Sequence, residues 1–233
     1  MGDIYYVAYM DLYHVINKGV DGRTIFMDKQ DYARFVHDLY EFNDMEPASE
    51  FSRTLSLEDT NVGRTTSHIR TRIVDIHGWV LMKNHFHLLL SERVPGGITL
   101  FLRKLSGYAR YFNERHGRQG TLFQGRTKRI LISTHAHLLY ILHYIHANPL
   151  DYLPNATEWR DRDKGLIANL KTSLSFLHEY RWSSYPDYCG HKNFPSILTT
   201  SFFNAIFDSY PSAFKEFLHD RSINDIDKKS LEY

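Results

Sequence analysis

Two consecutive strand-like segments constrain the fold of this chain more than any other feature. Residues 72–82, RIVDIHGWVLM, and residues 85–91, HFHLLLS, are rich in apolar, β-branched and aromatic side chains and are separated only by Lys83 and Asn84. Such runs are typical of β-strands, and a connection this short joins antiparallel neighbours. The sequence therefore predicts a β-hairpin near the middle of the chain.

The flanking segments predict a larger sheet with helices. Residues 12–18 and 120–132 also have strand composition, whereas apolar residues recur at helical spacing in residues 28–43, 98–117 and 134–148. The predicted order is β-α-β-β-α-β-α, which an antiparallel sheet with helices packed on one face would bury. We therefore expect an α+β fold.

A change of composition after Pro149 indicates that the chain is divided into two regions. The segment LPNATEWRDRDKG is polar and loop-like, and it is followed by predicted helices at 166–180 and 201–219. We expect a domain of residues 1–150 that holds the sheet, and a mostly helical C-terminal extension of residues 151–233. Within the first part, residues 46–67 are polar and without clear periodicity, and are expected to form a long loop.

The overall composition is that of a soluble globular protein, with 42% hydrophobic and 24% charged residues. No apolar run approaches the roughly 18–20 residues that cross a bilayer, and the N-terminus lacks a basic signal region, so we expect a cytoplasmic protein without a membrane partner. Cys189 is the single cysteine, so a disulfide within the chain is excluded. We expect Cys189 to be a small buried apolar residue rather than a nucleophile.

Basic residues are concentrated in one segment, although the net charge of the chain is only +1. Residues 103–129 contain eight Lys or Arg and one acid, with Tyr108, Tyr111, Phe112 and Phe123 among them. Basic groups bind phosphates and aromatic faces stack on unpaired bases, but a solvated helix face would have the same pattern. The candidate DNA-binding residues are Arg103, Lys104, Arg110, Tyr111, Arg115, Arg118, Arg126, Lys128 and Arg129.

His85 and His87 form a candidate metal site. Residues two apart on a strand point to the same side, so both imidazoles would project together while Phe86 packs into the opposite face. The alternative is two unrelated histidines, because the chain has 14 of them. A second pair, His135 and His137, lies at a predicted helix start, where residues two apart diverge, and is a poorer metal site.

A third ligand and a nucleophile are available on the helix that ends near Asn148. Tyr144 and Asn148 are four residues apart and share one helix face. If that face covers the histidines, the Asn148 amide oxygen could complete a site for Mg²⁺ or Mn²⁺, and Tyr144 could attack a polarised phosphodiester. The alternative for Tyr144 is a half-buried aromatic residue, and Tyr140, one turn earlier, is a second candidate nucleophile.

Taken together, these motifs resemble the single-tyrosine HUH transposases, and among them the REP-associated tyrosine transposases. The resemblance covers most of residues 12–150 and a block after it. It is carried, in the family's order, by the segments YHVINKG (13–19), TIFMDKQDYARF (24–35), GWVLMKNHFHLLL (78–90), YARYFNERHGRQGTLFQGRTK (108–128), LLYILHYIHANPL (138–150) and YRWSSYPDYCG (180–190).

The resemblance implies a ferredoxin-like βαββαβ core and a metal-dependent enzyme of the bacterial cytoplasm, associated with the nucleoid. It implies that His85, His87 and Asn148 bind Mg²⁺ or Mn²⁺, and that Tyr144 cleaves and joins single-stranded DNA through a 5′-phosphotyrosine link. The implied substrate is a DNA hairpin from repeated palindromes, with a short unpaired flank. A homodimer that exchanges the tyrosine helix is left open, as is the choice between the two metals.

The chain departs from the family pattern at three places, one of which is a long spacer before the segment YRWSSY. Lys83 replaces a proline that commonly precedes the Asn-His-x-His motif, and Asp151 stands near a position that is often basic in the family. His14, in YHV, matches the pattern, and we interpret it as structural support for the first strand.

Two other functions are compatible with parts of the sequence. A histidine-triad nucleotide hydrolase also uses alternating strand histidines, but it would need a third histidine where this chain has Leu89. A hairpin-binding protein that has kept the fold without catalysis is the second alternative. Such a protein would bind the hairpin with or without metal and would not cleave it, whereas an enzyme would cleave the hairpin only when metal is present.

Overall fold

A four-stranded antiparallel sheet forms the centre of the molecule. The computed structural model describes residues 10–47, 70–154, 156, 159–160 and 167–219. The strands are β1 (Leu12–Lys18), β2 (Val74–Met82), β3 (His85–Glu92) and β4 (Lys128–Leu131). Their order across the sheet is β2-β3-β1-β4, and every neighbouring pair is antiparallel. The expected hairpin and the α+β class are thus confirmed.

The described residues also form eight α-helices and two short 3-10 helices. The α-helices are α1 (Lys29–Glu41), α2 (Gly97–Leu105), α3 (Tyr108–Arg115), α4 (His135–Ala147), α5 (Leu170–Glu179), α6 (Tyr185–Tyr188), α7 (Ser201–Ile206) and α8 (Tyr210–His219). The 3-10 helices are Val20–Gly22 and Asn148–Tyr152. The predicted order of elements is confirmed through α4. Most of the loop expected at 46–67 lies outside the described residues.

Two predicted elements differ from the observed ones. The helix predicted at 98–117 is divided into α2 and α3 at Ser106 and Gly107, which are weaker helix formers than their neighbours. The strand predicted at 120–132 is reduced to β4, because the chain bends at Gly125, whose φ of 69° is in the left-handed region that favours glycine. Phe123, before the bend, makes only an isolated bridge to Gly19.

Helices cover both faces of the sheet, so the expectation of helices on one face was wrong. On one face α1, α2 and α3 pack against Val15, Phe86 and Leu88. On the other face α4 and the helices of the extension pack around Leu12, Val80 and Leu89. Alternate residues of β3 therefore enter two separate cores, which explains why this strand is apolar almost throughout.

The start and end of α4 follow from local sequence. The hydroxyl of Thr134 accepts a hydrogen bond from the His137 backbone N–H at 3.1 Å, which caps the first turn. The α-helix ends at Ala147, and Pro149 falls inside the short 3-10 helix that follows. The predicted end near Asn148 is therefore confirmed. Among the described residues, no helix is both long and apolar enough to cross a membrane.

The C-terminal extension is joined to the sheet rather than set apart from it. The backbone N–H of Leu81 donates to the Trp182 carbonyl at 2.9 Å, and that of Ser184 donates to the Trp79 carbonyl at 3.0 Å. The segment around Trp182 therefore lies along the outer edge of β2 and satisfies part of its backbone. The division of the chain near residue 150 stays a prediction, although the helices after it share a core with α4.

Candidate active site

The two histidines of β3 lie on the sheet face that α4 covers. Their ring centroids are 5.0 Å apart with the planes nearly perpendicular, at 85°. His87 is buried, and His85 is partly exposed. Phe86 between them is buried in the core of the opposite face, as expected from the alternation of a strand.

Each histidine already uses one ring nitrogen within the protein. The Nδ1 atom of His85 lies 2.7 Å from the Asn84 side-chain oxygen, and the Nδ1 atom of His87 lies 2.9 Å from Nε2 of His14. These two contacts leave Nε2 as the candidate metal-binding nitrogen of each ring. Partners of this kind fix the tautomer and the orientation of a metal-binding imidazole.

His14 is the support for His87. It is completely buried on β1, and its ring stacks on that of His87 with centroids 5.1 Å apart. Burial, with the nearby His137, lowers the pKa of His14 to about 3. His14 is therefore neutral, and its Nε2 can accept a hydrogen bond from Nδ1–H of His87; in that tautomer the lone pair of His87 is on Nε2.

The two candidate metal-binding histidines, His85 and His87, are neutral as well. Burial, reinforced by the charge of Arg160, lowers the pKa of His85 to about 4. Burial also lowers the pKa of His87 well below its ordinary value, and His85 and His14 add to this effect. A neutral imidazole is the form that binds a metal.

Helix α4 brings Tyr144 and Asn148 to the same place. The Tyr144 ring centroid lies 5.8 Å from that of His87 and 6.1 Å from that of His14. The Asn148 amide nitrogen donates to the Tyr144 carbonyl at 2.7 Å, and a carbonyl can only accept. This fixes the orientation of the amide, and the Asn148 side chain also hydrogen bonds to His85.

Arg160 is a component of the site that the sequence analysis did not identify. One of its terminal nitrogens donates to the Asn148 amide oxygen at 2.8 Å, and the other lies 3.3 Å from the Tyr144 hydroxyl. Asp151 holds the guanidinium in an ion pair at 2.7 Å. In the sequence, Asp151 is followed nine residues later by Arg160. That spacing does not by itself predict a contact between the two side chains.

The surroundings of Arg160 keep it charged and in position. Burial opposes its charge, but hydrogen bonds to Asp151 and the neighbouring Tyr144 outweigh burial and raise the pKa of Arg160. The guanidinium also lies 4.3 Å from the Trp159 ring centroid, and the Trp159 indole N–H donates to Asp151 at 2.9 Å. A fixed positive charge thus lies beside the hydroxyl of Tyr144, a residue that is 4% exposed.

The donor set fits a hard divalent cation with open positions better than a closed structural site. Two neutral imidazoles and one amide oxygen lie together, and the amide oxygen now accepts a hydrogen bond from Arg160, which a metal would have to replace. Within the described part of the chain, no three or more His, Cys, Asp or Glu residues are grouped as a metal site. A metal here therefore depends on Asn148 as the third protein ligand, which suits Mg²⁺ or Mn²⁺ better than zinc.

Several of the candidate DNA-binding residues are bound by other groups of the protein. Lys104 donates to the Asp44 and Glu46 carbonyls after α1, and Arg115 pairs with Asp28 and Asp31 at its start. These two side chains stabilise the protein's own loops and helix ends. Arg118 likewise donates to the Thr121 carbonyl at 2.6 Å and to Asn113, whereas Arg110 pairs with Glu114 on an exposed helix face and Tyr111 packs under Arg34.

The remaining basic candidates lie near β4. Arg103, Arg126 and Arg129 line a cleft between α2 and the sheet, and Lys128 is exposed on β4 itself. Of the interleaved aromatic residues, Tyr108 and Phe112 are buried in the core, so the expectation that all four could stack on bases was wrong for these two. Phe123 is partly exposed and lines the cleft. Nucleic-acid binding by the basic candidates stays a prediction.

Comparisons with known proteins gave a weak structural likeness and no sequence match. No family model and no curated protein matches the chain. A solved structure of a REP-associated tyrosine transposase bound to a REP hairpin superposes with a TM-score of 0.48 and 12% sequence identity, over 81% of this chain and 85% of that chain. The function of this chain therefore has to be argued from its own residues and their geometry.

Proposed function

We propose that the chain is a metal-dependent enzyme that cleaves and joins single-stranded DNA at hairpins, of the REP-associated tyrosine transposase type. The observation that carries the proposal is the meeting of four side chains from distant segments: His85 and His87 on β3, Tyr144 on α4, and Asn148 directly after α4. The same chain supplies all four, with 5.8 Å between the Tyr144 and His87 ring centroids. A core packed for stability alone does not require two imidazoles, an amide and a phenol at one point.

The order of strands supports the finer assignment of the fold. In the sheet β2-β3-β1-β4, the strands that follow α1 and the α2–α3 pair lie at the two edges, and β1 and β3 lie between them. Two interlocked β-α-β units with this arrangement are those of a ferredoxin-like sandwich. We include this assignment in the proposal, with α4 and the extension as an added layer on the second face.

The role of each residue follows from its position. His85, His87 and Asn148 would hold the divalent cation, which when bound supplies Lewis-acid polarisation of a phosphate oxygen. His14 keeps the His87 lone pair on Nε2. Arg160, beside the Tyr144 hydroxyl, stabilises negative charge on the phenolic oxygen and on an adjacent phosphate.

The covalent step transfers the strand from the 3′ oxygen to the tyrosine. The Tyr144 oxygen forms a bond to phosphorus while the bond from phosphorus to the 3′ oxygen breaks. The phenolic proton is lost and the leaving 3′ oxygen gains one, so the products are a 5′-phosphotyrosine and a free 3′-hydroxyl. Because the new link is also a phosphodiester, the reverse attack by a 3′-hydroxyl reseals the strand or joins it to another.

A hairpin-binding protein without catalysis is the second candidate. It is favoured by the burial of Tyr144, which is only 4% exposed and whose hydroxyl lies 3.3 Å from Arg160. On this alternative the polar cluster would stabilise the packing of α4, and the basic residues would bind DNA without a chemical step. The two candidates differ in whether a covalent adduct forms.

The test uses labelled single-stranded hairpin DNA from repeats that flank the gene. Wild-type protein is incubated with the DNA in Mn²⁺ or in EDTA, and a denaturing gel shows whether protein and DNA are covalently joined. We expect an adduct with Mn²⁺, none with EDTA, and none with Tyr144→Phe. Tyr140→Phe is the matched control, because this tyrosine lies one turn away and stacks on Tyr144 with ring centroids 5.9 Å apart.

Each result has a definite meaning. An adduct that is lost in Tyr144→Phe and kept in Tyr140→Phe would support the proposed nucleophile and reaction. An adduct lost only in Tyr140→Phe would assign the chemistry to the other tyrosine. Tight binding of the hairpin without any adduct from wild type would favour the binding protein.

A further inference from the structure

A cleft on the opposite face of the sheet has the chemistry of a nucleotide site. Its volume is about 500 Å³, within the range of roughly 300–1,000 Å³ that is usual for ligand sites. It lies between α2, the end of β1 and the bend before β4. Neither His85 nor His87 is among its lining residues, so it is distinct from the candidate active site.

The charge of the cleft is positive and only partly neutralised. Arg103, Arg126 and Arg129 line it, and none of the described residues that line it is acidic. Arg129 donates to the Thr99 hydroxyl at 2.8 Å. The guanidinium groups of Arg103 and Arg126 make no hydrogen bond or ion pair with the part of the chain that the structure describes. Such groups are available to a phosphate.

The inner wall of the cleft is apolar and aromatic. Phe86, Phe123, Leu102 and Leu105 form it, and the Phe86 and Phe123 rings meet edge to face with centroids 5.9 Å apart. Phe123 is partly exposed, so part of its surface can contact a ligand. An aromatic wall beside several arginines fits a flat base that carries a phosphate.

The parts of the cleft are held in place by the sheet. The Asn17 amide donates to the Thr127 hydroxyl at 2.9 Å, and the backbone N–H of Gln124 donates to the Lys18 carbonyl at 2.8 Å. The left-handed conformation of Gly125 then turns the chain and brings Arg126 to the cleft. The site is therefore formed before a ligand arrives.

The cleft and the candidate active site share the same short piece of sheet. Phe86, at the cleft, lies between the two histidines in sequence and points through the sheet away from them. Strand β4 is the adjacent edge, and its residues Lys128 and Arg129 pair with Ile16 and Val15 of β1. Neighbouring residues of a strand point to opposite faces of the sheet. Arg129 therefore lies on the face of the cleft, and Lys128 on the face of the candidate active site.

We propose that the cleft binds one unpaired nucleotide of the DNA strand whose cleaved phosphate lies at His85 and His87, and that this strand passes over the edge of β4. The inference rests on the proposed function for the identity of the strand. The base contacts Phe123 and the leucines, while Arg103 and Arg126 bind its phosphates. Binding there would fix the position at which the strand crosses the tyrosine.

The test measures binding in EDTA, so that it does not depend on catalysis. A fluorescent hairpin oligonucleotide with an unpaired 5′ flank is titrated with full-length protein, and each flank nucleotide is replaced in turn by an abasic one. We expect one position at which the abasic change weakens wild-type binding about 10-fold, since a stacked base contributes strongly to affinity. In Phe123→Leu, which keeps an apolar side chain, the same change should have about a 2-fold effect or less.

A charge-matched pair of variants tests the arginines. Arg103→Ala/Arg126→Ala should weaken binding about 10-fold more than Arg93→Ala/Lys171→Ala, which removes the same charge from exposed positions outside the cleft. Equal losses in the two double variants, or an abasic scan without a preferred position, would overturn the proposal. Displacement of the oligonucleotide by free dTMP at an equal nucleotide concentration would also overturn the proposal, because the cleft would then bind a free nucleotide as well as it binds DNA.

The two proposals can fail separately. If the abasic and arginine effects are found but no adduct forms, the cleft binds DNA and the catalytic proposal is wrong. If the adduct forms but binding has no preferred flank position, the catalytic proposal stands and the cleft proposal is wrong.

Discussion

At the scale of single residues, Arg160 connects the two parts of the chain within the candidate site. Its guanidinium is within hydrogen-bond distance of the Tyr144 hydroxyl and of the Asn148 oxygen, and it is paired with Asp151. The positive charge at the site therefore comes from a residue nine positions after Asp151. A cation held in this way is already oriented before substrate binds.

Arg160→Ala should slow adduct formation by roughly 10²–10³-fold at saturating DNA, because a preorganised donor next to the reacting oxygen is removed. Arg160→Lys is the control, since it keeps the charge but loses the two-pronged geometry, and we expect an intermediate rate. The measurement is a single-turnover gel assay, with circular dichroism to verify folding. An unchanged rate in Arg160→Ala would rule out a role in the reaction.

His14 is expected to act through His87. In His14→Leu the Nδ1 atom of His87 loses its partner in a buried position, so the imidazole is no longer held in the tautomer that binds a metal. We expect Mn²⁺ affinity, measured by calorimetry without DNA, to fall roughly 10–100-fold. The free energy of unfolding should fall by about 1–3 kcal/mol.

His135→Gln is the control for the His14 experiment, because His135 is exposed at the start of α4. It should leave both quantities unchanged. A loss of stability in His14→Leu with wild-type Mn²⁺ affinity would mean that His14 supports only the strand.

At the scale of elements, the position of α4 on the sheet decides whether the site forms. α4 carries Tyr144 and positions Asn148 at its end, and it crosses β2 at Gly78. A Cβ atom added at Gly78 would lie 2.5 Å from a terminal methyl group of Leu142 on α4. The glycine therefore leaves room for Leu142 and favours the close approach of helix and sheet.

Gly78→Ala should lower the free energy of unfolding by about 1–3 kcal/mol and slow adduct formation, because α4 or Leu142 must move away. Leu142→Val removes the terminal methyl groups, so the double variant should be less destabilised than the sum of the single variants. Urea denaturation of the four proteins gives this comparison. Additive effects would show that Gly78 and Leu142 do not limit the packing of α4.

At the scale of the whole molecule, buried neutral histidines couple folding to pH. His77 on β2 is buried, and burial lowers its pKa to about 4 despite the nearby Asp75. In the unfolded chain its pKa returns to about 6.5. Between these values the unfolded chain binds a proton that the folded protein does not, so this histidine makes stability fall as pH falls from about 6.5 to 4.

His77→Gln should therefore reduce the pH dependence of the unfolding free energy by about one proton, or about 1.4 kcal/mol per pH unit, between pH 6 and pH 5. The measurement is urea unfolding in EDTA across this range. His135→Gln is again the exposed control and should have the wild-type slope. An unchanged slope in His77→Gln would show that His77 is protonated in the folded protein.

Much of the fold was accessible from the sequence because it follows from local patterns. The limits of β1, β2 and β3 and the end of α4 were predicted to within two residues. These elements are set by strand composition, a two-residue connection and a proline, all of which act within a few residues. The alternation of β3 also predicted correctly that Phe86 and the histidines face opposite sides.

The sequence by itself determined which residue types are available for chemistry, and only the tertiary structure decided which of them meet. Helices on both faces, the break between α2 and α3, the burial of Tyr108 and Phe112, and the use of Lys104 and Arg115 within the protein were not predicted. Arg160 was missed for the same reason. Contacts between residues far apart in the chain depend on how whole elements pack, and no local pattern records that packing.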